Sequence, residues 1–269
     1  ALSIAFYKYK LNSLRLSSSL RGLGISSIES TYFGRFIDLI FILSTVGAAG
    51  GTIGSYIPML SNGFSDLLNI ANGLHIDIAV IFFCVGLFGF SVYKGLDKGI
   101  KNLSNFNLTL ALIFLFLVVL AVDIVNLVEI ALSGIQYSFV YFWNMSTLGI
   151  KENSDFAREW TIFYWAWWVA FGPLVGLFIA RISKGRTLRE IIFGMLFFGT
   201  LGTWLFYLVL GGYAMNGELS NEIKVIENLK DIGHANTAIT VVNSMPFNYL
   251  MLLIFCVITI VFITTSYDS

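Results

Sequence analysis

The run Trp160-Thr161-Ile162-Phe163-Tyr164-Trp165-Ala166-Trp167-Trp168-Val169-Ala170-Phe171-Gly172-Pro173 holds four of the chain's six tryptophans within nine residues. On a helix of 3.6 residues per turn, Trp160, Tyr164, Trp167, Trp168 and Phe171 stand at i, i+4, i+7, i+8 and i+11, one continuous aromatic face. The chemistry open to such a face is cation–π attraction, about 0.5 to 2 kcal/mol per ring, for a cation with no hydrogen to donate, a quaternary ammonium. The competing explanation is an aromatic belt at the headgroup level of a bilayer. A belt accounts for Trp160 and Tyr164. Trp168 and Phe171 lie roughly 12 to 16 Å further along at 1.5 Å per residue, near the middle of a membrane, where polar-edged indoles are unusual as lipid-facing filler. Pro173 follows, removing an amide donor and freeing the carbonyl of Val169, which predicts a kink beside the aromatic face.

A second cluster closes the chain: Ile263-Thr264-Thr265-Ser266-Tyr267-Asp268-Ser269, polar residues ending an apolar run. Its oxygens can replace water around a hard cation such as Na⁺, or they can cap a span at the membrane interface. The residues alone leave both open. Neither histidine, His75 or His234, has a second His, Cys or paired carboxylate at ligand spacing, so they read as surface groups and not as a metal site. Cys84 and Cys256 sit inside apolar runs and should pack as small hydrophobes.

The elements that carry these clusters are set by composition. The 269 residues are 57% hydrophobic and only 12% charged, with a mean hydropathy of +0.81; soluble domains carry about a quarter charged residues. Sixteen cations balance sixteen anions, so no basic field exists to hold nucleic acid. The fold class is an all-α polytopic membrane protein. Spanning needs roughly 20 apolar residues. Six stretches suffice, at about 36–58, 76–93, 108–130, 160–181, 190–213 and 247–266, with a stump of a further span ending near Tyr7.

Twelve of the sixteen cations fall in loops on one side of these spans: Lys8, Lys10, Arg15, Arg21 and Arg35; Lys94, Lys98 and Lys101; Arg181, Lys184, Arg186 and Arg189. The other side has Lys151, Arg158, Lys224 and Lys230, so the positive-inside rule makes the twelve cytoplasmic. Segments 131–159 and 218–245 should form short amphipathic helices on the outer surface. Gly47/Gly51 and Gly50/Gly54 are small-xxx-small pairs that predict close helix packing. Arg35 and Asp38 should pair locally at a helix start. Asp123, about 15 residues into its span, reads as a solvated end and not as a proton relay.

The run from Trp160 to Trp168 resembles the signature of the betaine/carnitine/choline transporter family. Two further stretches agree: Phe178-Ile179-Ala180-Arg181-Ile182-Ser183-Lys184-Gly185-Arg186-Thr187-Leu188-Arg189-Glu190, and Lys98-Gly99-Ile100-Lys101-Asn102-Leu103-Ser104-Asn105. The resemblance implies part of a twelve-helix transporter with a five-plus-five inverted repeat and a LeuT-like core. Residues 1–269 would be one transmembrane transporter domain, truncated at both ends, from the end of span 4 into span 10. The family's aromatic box falls on Trp167, Trp168 and Phe171, and Tyr164 extends the face. In sodium-coupled relatives, residues matching Thr265 and Ser266 give side-chain oxygens to one Na⁺. A second Na⁺ site in relatives uses a hydroxyl matching Ala49 and an aromatic matching Leu174; both are absent here, although Thr45 is near.

The expectation is therefore a secondary active transporter, not an enzyme, with no catalytic residues and no cofactor beyond Na⁺ as coupling ion. Its substrate would be a quaternary-ammonium osmolyte such as glycine betaine, choline or carnitine, moved by alternating access. The alternatives are a proton-coupled symporter or exchanger of the same family, or a membrane sensor that binds without transport. The resemblance also implies the inner membrane of a prokaryote and a homotrimer.

Overall fold

The computed structural model of the protein describes residues 15–23, 28–94, 96–147, 157–183 and 185–267. The expected stump near Tyr7 lies outside them, as does Lys151. Among the described residues all regular structure is helical. Short 3₁₀ turns at Leu16–Leu23 and Ile28–Ser30 lead into α1 (Tyr32–Leu68), α2 (Leu74–Lys94), α3 (Leu96–Leu120), α4 (Ile124–Val140) and α5 (Phe142–Ser146). A π-helical turn at Ala157–Ile162 opens α6 (Phe163–Ile182). α7 (Leu188–Phe206) passes through a second π turn (Tyr207–Gly211) into α8 (Gly212–Leu219), followed by α9 (Val225–Asp231), α10 (Gly233–Asn243) and α11 (Asn248–Tyr267). The chain divides into two compact units, residues 1–51 with 140–198 and residues 52–139 with 199–269.

Side-chain oxygens fix several helix starts. Thr31 Oγ1 accepts the Gly34 N–H at 3.1 Å, an N-cap for α1. Thr187-Leu188-Arg189-Glu190 forms a capping box at α7: the Thr187 N–H donates to Glu190 Oε2 (2.8 Å) and the Glu190 N–H to Thr187 Oγ1 (3.3 Å).

Five helical stretches are long and apolar enough to cross a membrane, at Tyr32–Leu68, Asn102–Leu120, Trp160–Ala180, Leu188–Leu219 and Asn248–Thr265. They carry five of the six expected spans, and the remaining one falls on α2, 21 residues long. Their apolar side chains are largely uncovered, Leu43 and Val46 being 62% and 66% exposed. Helices apolar all round belong in an apolar medium.

The sequence expectations fail at four points. Pro58 does not end the first span, because α1 runs on to Leu68. Its continuation is buried in the core of the second unit through Leu60, Ser61 and Gly63, and tertiary packing overrides the local break. The stop comes instead at Asn69, whose positive φ of 53° makes a left-handed cap.

The 108–130 span is not one helix either. α3 starts earlier and ends at Leu120, and Asp123 accepts the Val125 N–H at 2.9 Å as a cap for α4. Asp123 is exposed and outside any span, consistent with a solvated end.

Asp38 does not pair with Arg35. It takes the Ser17 N–H (3.0 Å) and the Ser17 Oγ–H (2.9 Å), with Arg15 Nε at 4.0 Å, and so ties the entering segment to α1. The Arg35 guanidinium lies over the Tyr32 ring at 5.9 Å.

The paired glycines of α1 are not packed against a neighbour among the described residues: a Cβ on Gly47, Gly50, Gly51 or Gly54 would meet nothing within 4 Å there. Close approach occurs at Gly63, where a Cβ would lie 2.6 Å from Cys256 Sγ, and at Gly212, 2.6 Å from Leu127 Cδ1.

The core of the second unit gathers Leu60, Cys84, Phe114, Val118, Ile239, Leu252 and Cys256. Both cysteines are free and buried in it, packing as small hydrophobes. At one end of this unit Asn243 Nδ2 donates to Asp66 Oδ2 at 2.6 Å, and an amide relay links Asn72, Asn62 and Asn236. These bonds join the end of α1 to α10, one of the two short helices found in the 218–245 segment.

Gly63→Ala should destabilise the protein by about 1–3 kcal/mol, the cost of overpacking a filled core. Adding Cys256→Ala should recover most of that loss. Thermal unfolding of the purified full-length protein followed by size-exclusion reads both, and equal melting of Gly63→Ala and wild type would refute the close packing.

Candidate functional site

The aromatic residues stand along the start of α6 and the π turn before it. Their spacing gives a ladder of ring contacts within the first unit. Trp160 stacks on Tyr164 (centroids 5.9 Å, planes 24° apart), and Tyr164 meets Trp167 edge-on (6.5 Å, 83°). Trp167 then touches Trp168 (5.4 Å, 72°) and Phe171 (5.1 Å, 46°). Trp167 is thus the hub of the ladder, joining Tyr164, Trp168 and Phe171 among the described residues.

Exposure differs from ring to ring. Phe171 is 8% exposed and anchors the buried end, whereas Trp168 is 52% exposed and presents a large indole surface. Two indoles near a right angle form a corner, and the negative π faces of such a corner attract a cation within about 6 Å of each centroid. Trp165, one turn before Trp168, and Val169 are 70% and 71% exposed. α6 continues through Pro173 to Ile182 without interruption.

The hydroxyl cluster stands at the end of α11 in the second unit. Thr264 is buried, and its Oγ1 donates to the Ile260 carbonyl at 2.8 Å. Thr265 Oγ1 donates to Val261 O at 2.9 Å and to Phe262 O at 3.2 Å. Ser266 belongs to the same helix, its side chain lying outside the described residues.

A hydroxyl whose proton is held by a backbone carbonyl turns its lone pairs outward as acceptors. A hydroxyl oxygen is the kind of neutral ligand a hard cation accepts. Thr45 is oriented likewise, donating to Phe41 O at 2.8 Å, while Ala49 and Leu174 offer no polar atom beyond their backbone.

A buried amide in α3 drew no notice in the sequence. Asn107 is 8% exposed, and its Oδ1 has no hydrogen-bond partner among the described residues. The signal was one Asn among the apolar residues that follow Phe106, easily read as the polar start of a span.

Helices long and apolar enough to span a membrane make this an integral membrane protein of the helical kind, with an aromatic ladder on one of its spans. The model of the betaine/carnitine/choline family transporters matches residues 1–269, and the chain belongs to that family. It is 32% identical over 243 residues to a glycine betaine/proline/choline/ectoine transporter of Vibrio parahaemolyticus, covering 88% of this chain and 42% of the relative. It is 30% identical to the glycine betaine transporter OpuD of Bacillus subtilis (100% of this chain, 52% of the relative) and 29% identical to a carnitine transporter of Acinetobacter baumannii (100% and 49%). The chain spans about half the length of the curated relatives it matches.

Proposed function

We propose that the full-length protein is a secondary active transporter of quaternary-ammonium solutes, with glycine betaine, choline and carnitine as the substrate class, coupled to Na⁺ and working by alternating access. The single observation that carries this reading is the ring ladder centred on Trp167 in a member of a transporter family. Trp167, Trp168 and Phe171, with Tyr164 beside them, hold the methylated ammonium by their faces, because it offers no N–H for a conventional hydrogen bond. Relatives are named for proline and ectoine as well as for betaine and choline, which supports a site that selects charge and shape over hydrogen bonding.

Thr265 and Ser266 provide side-chain oxygens for Na⁺. The ion supplies driving force when bound: one inward charge in a potential of about 150 mV gains roughly 3.4 kcal/mol, enough for a few-hundredfold accumulation of a zwitterion. The loss of a hydroxyl at Ala49 and of an aromatic at Leu174 supports a single coupled Na⁺. The protein sits in the inner membrane of a prokaryote with its twelve-cation side in the cytoplasm, as a homotrimer of twelve-helix protomers with a LeuT-like five-plus-five repeat.

The test is initial uptake of labelled betaine, choline and carnitine by the full-length protein in proteoliposomes, with Na⁺ exchanged for K⁺ and external pH varied separately. Uptake should need an inward Na⁺ gradient and continue unchanged between about pH 6 and 8, since the cage and the hydroxyl pair carry no group that titrates there. Uptake that follows a proton gradient or requires internal substrate replaces Na⁺ symport by proton coupling or exchange. Binding without any uptake or counterflow makes the protein a sensor.

A further inference from the structure

We infer that Asn107 on α3 lends its amide oxygen to the coupling cation at the inner end of α11, the end that carries Thr264 and Thr265. This rests on the sodium reading of Thr265 and Ser266 given above and adds a ligand from a different helix. The observation behind it is the buried Oδ1 with no hydrogen-bond partner among the described residues. A buried acceptor left without a partner is costly, so native proteins seldom keep one unless an ion, a water or a function explains it.

The placement of Asn107 follows from the packing of the second unit. Asn107, Ala111, Phe114 and Val118 stand at i, i+4, i+7 and i+11 and are all buried, which makes them one face of α3. α3 packs extensively against α11, and Phe114 lies beside Phe255 with ring centroids 6.1 Å apart.

The two helices are antiparallel. α11 begins at the end of the unit where Asp66 holds Asn243; α2 leaves that end and α3 returns to it. Seven residues back from Phe114 is Asn107, and seven on from Phe255 is Phe262, each about 10 Å toward the inner end at 1.5 Å per residue. Thr264 and Thr265 come only about 3 to 5 Å further on. Side chains on a helix lean toward its N-terminus, which for α3 is the inner end, so the amide of Asn107 leans toward the depth of the two threonines.

The donors match in kind. An amide oxygen and hydroxyls whose protons are held by Ile260, Val261 and Phe262 carbonyls are neutral oxygen ligands. Sites for Ca²⁺ or Mg²⁺ use carboxylates, whereas a neutral set suits a monovalent hard cation held weakly enough to leave.

The experiment titrates Na⁺ against K⁺ at constant ionic strength on the purified full-length protein. It reads thermal stabilisation by Na⁺ without substrate and, in proteoliposomes, the Na⁺ concentration for half-maximal uptake. Asn107→Leu and the smaller Asn107→Ala should each raise both Na⁺ midpoints at least threefold, with the betaine KM at saturating Na⁺ unchanged. Asn107→Asp, which keeps an oxygen, should return them to within twofold of wild type.

Wild-type Na⁺ midpoints in Asn107→Leu, or in Asn107→Ala where the leucine variant fails to fold, overturn the inference while leaving Thr265 in place. Equal shifts in the Asp variant with a weakened betaine KM overturn it too, by assigning Asn107 to packing. A wild-type protein indifferent to Na⁺ in both readouts removes the sodium reading itself, and Asn107 with it.

Discussion

Trp168→Leu in the full-length protein should cut initial uptake of glycine betaine or choline at least about a hundredfold at low substrate, with the protein still made and inserted. A desolvated cation–π contact contributes about 2 kcal/mol and an edge-to-face aromatic pair about 0.5–1.5 kcal/mol. In the proposed cage Trp168 would supply both kinds: an indole face for the ammonium and the 5.4 Å contact with Trp167. Together these come to roughly 3 kcal/mol, more than two decades in an equilibrium constant. The fold should tolerate the change, because Trp168 is 52% exposed in its unit and leucine is a better helix former than tryptophan.

Trp165→Leu is the matched control. It removes an indole one turn away from Trp168, at a position 70% exposed within its unit, and should leave KM within about twofold, since substitutions at exposed positions outside a site cost little. Trp168→Phe, which keeps a smaller π face, should fall between. Near-normal uptake by Trp168→Leu takes the cage off this helix, and equal losses in Trp165→Leu and Trp168→Leu replace the cage by a general requirement for tryptophan in the bilayer.

The features that sequence spacing made legible are those governed by a single period. The aromatic face needed only 3.6 residues per turn, and the ring contacts from Trp160 to Phe171 follow that register. The apolar spans needed only length. Features decided by two distant segments were not legible. Asp38 had a cation three residues away in Arg35, yet the entering segment brings Ser17 and Arg15 to it from outside the helix. The first apolar stretch was bounded at residue 58, while the burial of Leu60 and Gly63 against residues such as Leu252 and Cys256, nearly two hundred positions on, carries the helix past it.

Glycine pairs in α1 carried the motif for close packing, but Gly63, which has no such motif, is where two helices touch. A motif states what a backbone permits, and the partner decides whether it is used. Asn107 is the same case for a polar group: its type was plain in the sequence, its burial was not.

Conversion of Thr265 and Ser266 together to alanine should raise the Na⁺ concentration for half-maximal uptake by tenfold or more. The Thr265 hydroxyl donates to the Val261 and Phe262 carbonyls 2.9 and 3.2 Å away, which fixes the position of its oxygen on α11. Removing two oxygen ligands from a partly dehydrated ion should cost at least about 1.4 kcal/mol, the equivalent of that tenfold shift. Thr265→Ser with Ser266 retained keeps both oxygens and should stay within about threefold of wild type, which separates ligation from packing of the threonine methyl. Because Ala49 and Leu174 lack the side chains of a second site, uptake should rise with Na⁺ along a curve with a Hill coefficient near 1. A coefficient approaching 2 would require a second sodium, with Thr45 Oγ1 on α1 as the first group to mutate, and an alanine pair with an unchanged Na⁺ midpoint would return Thr265 and Ser266 to the role of a structural cap.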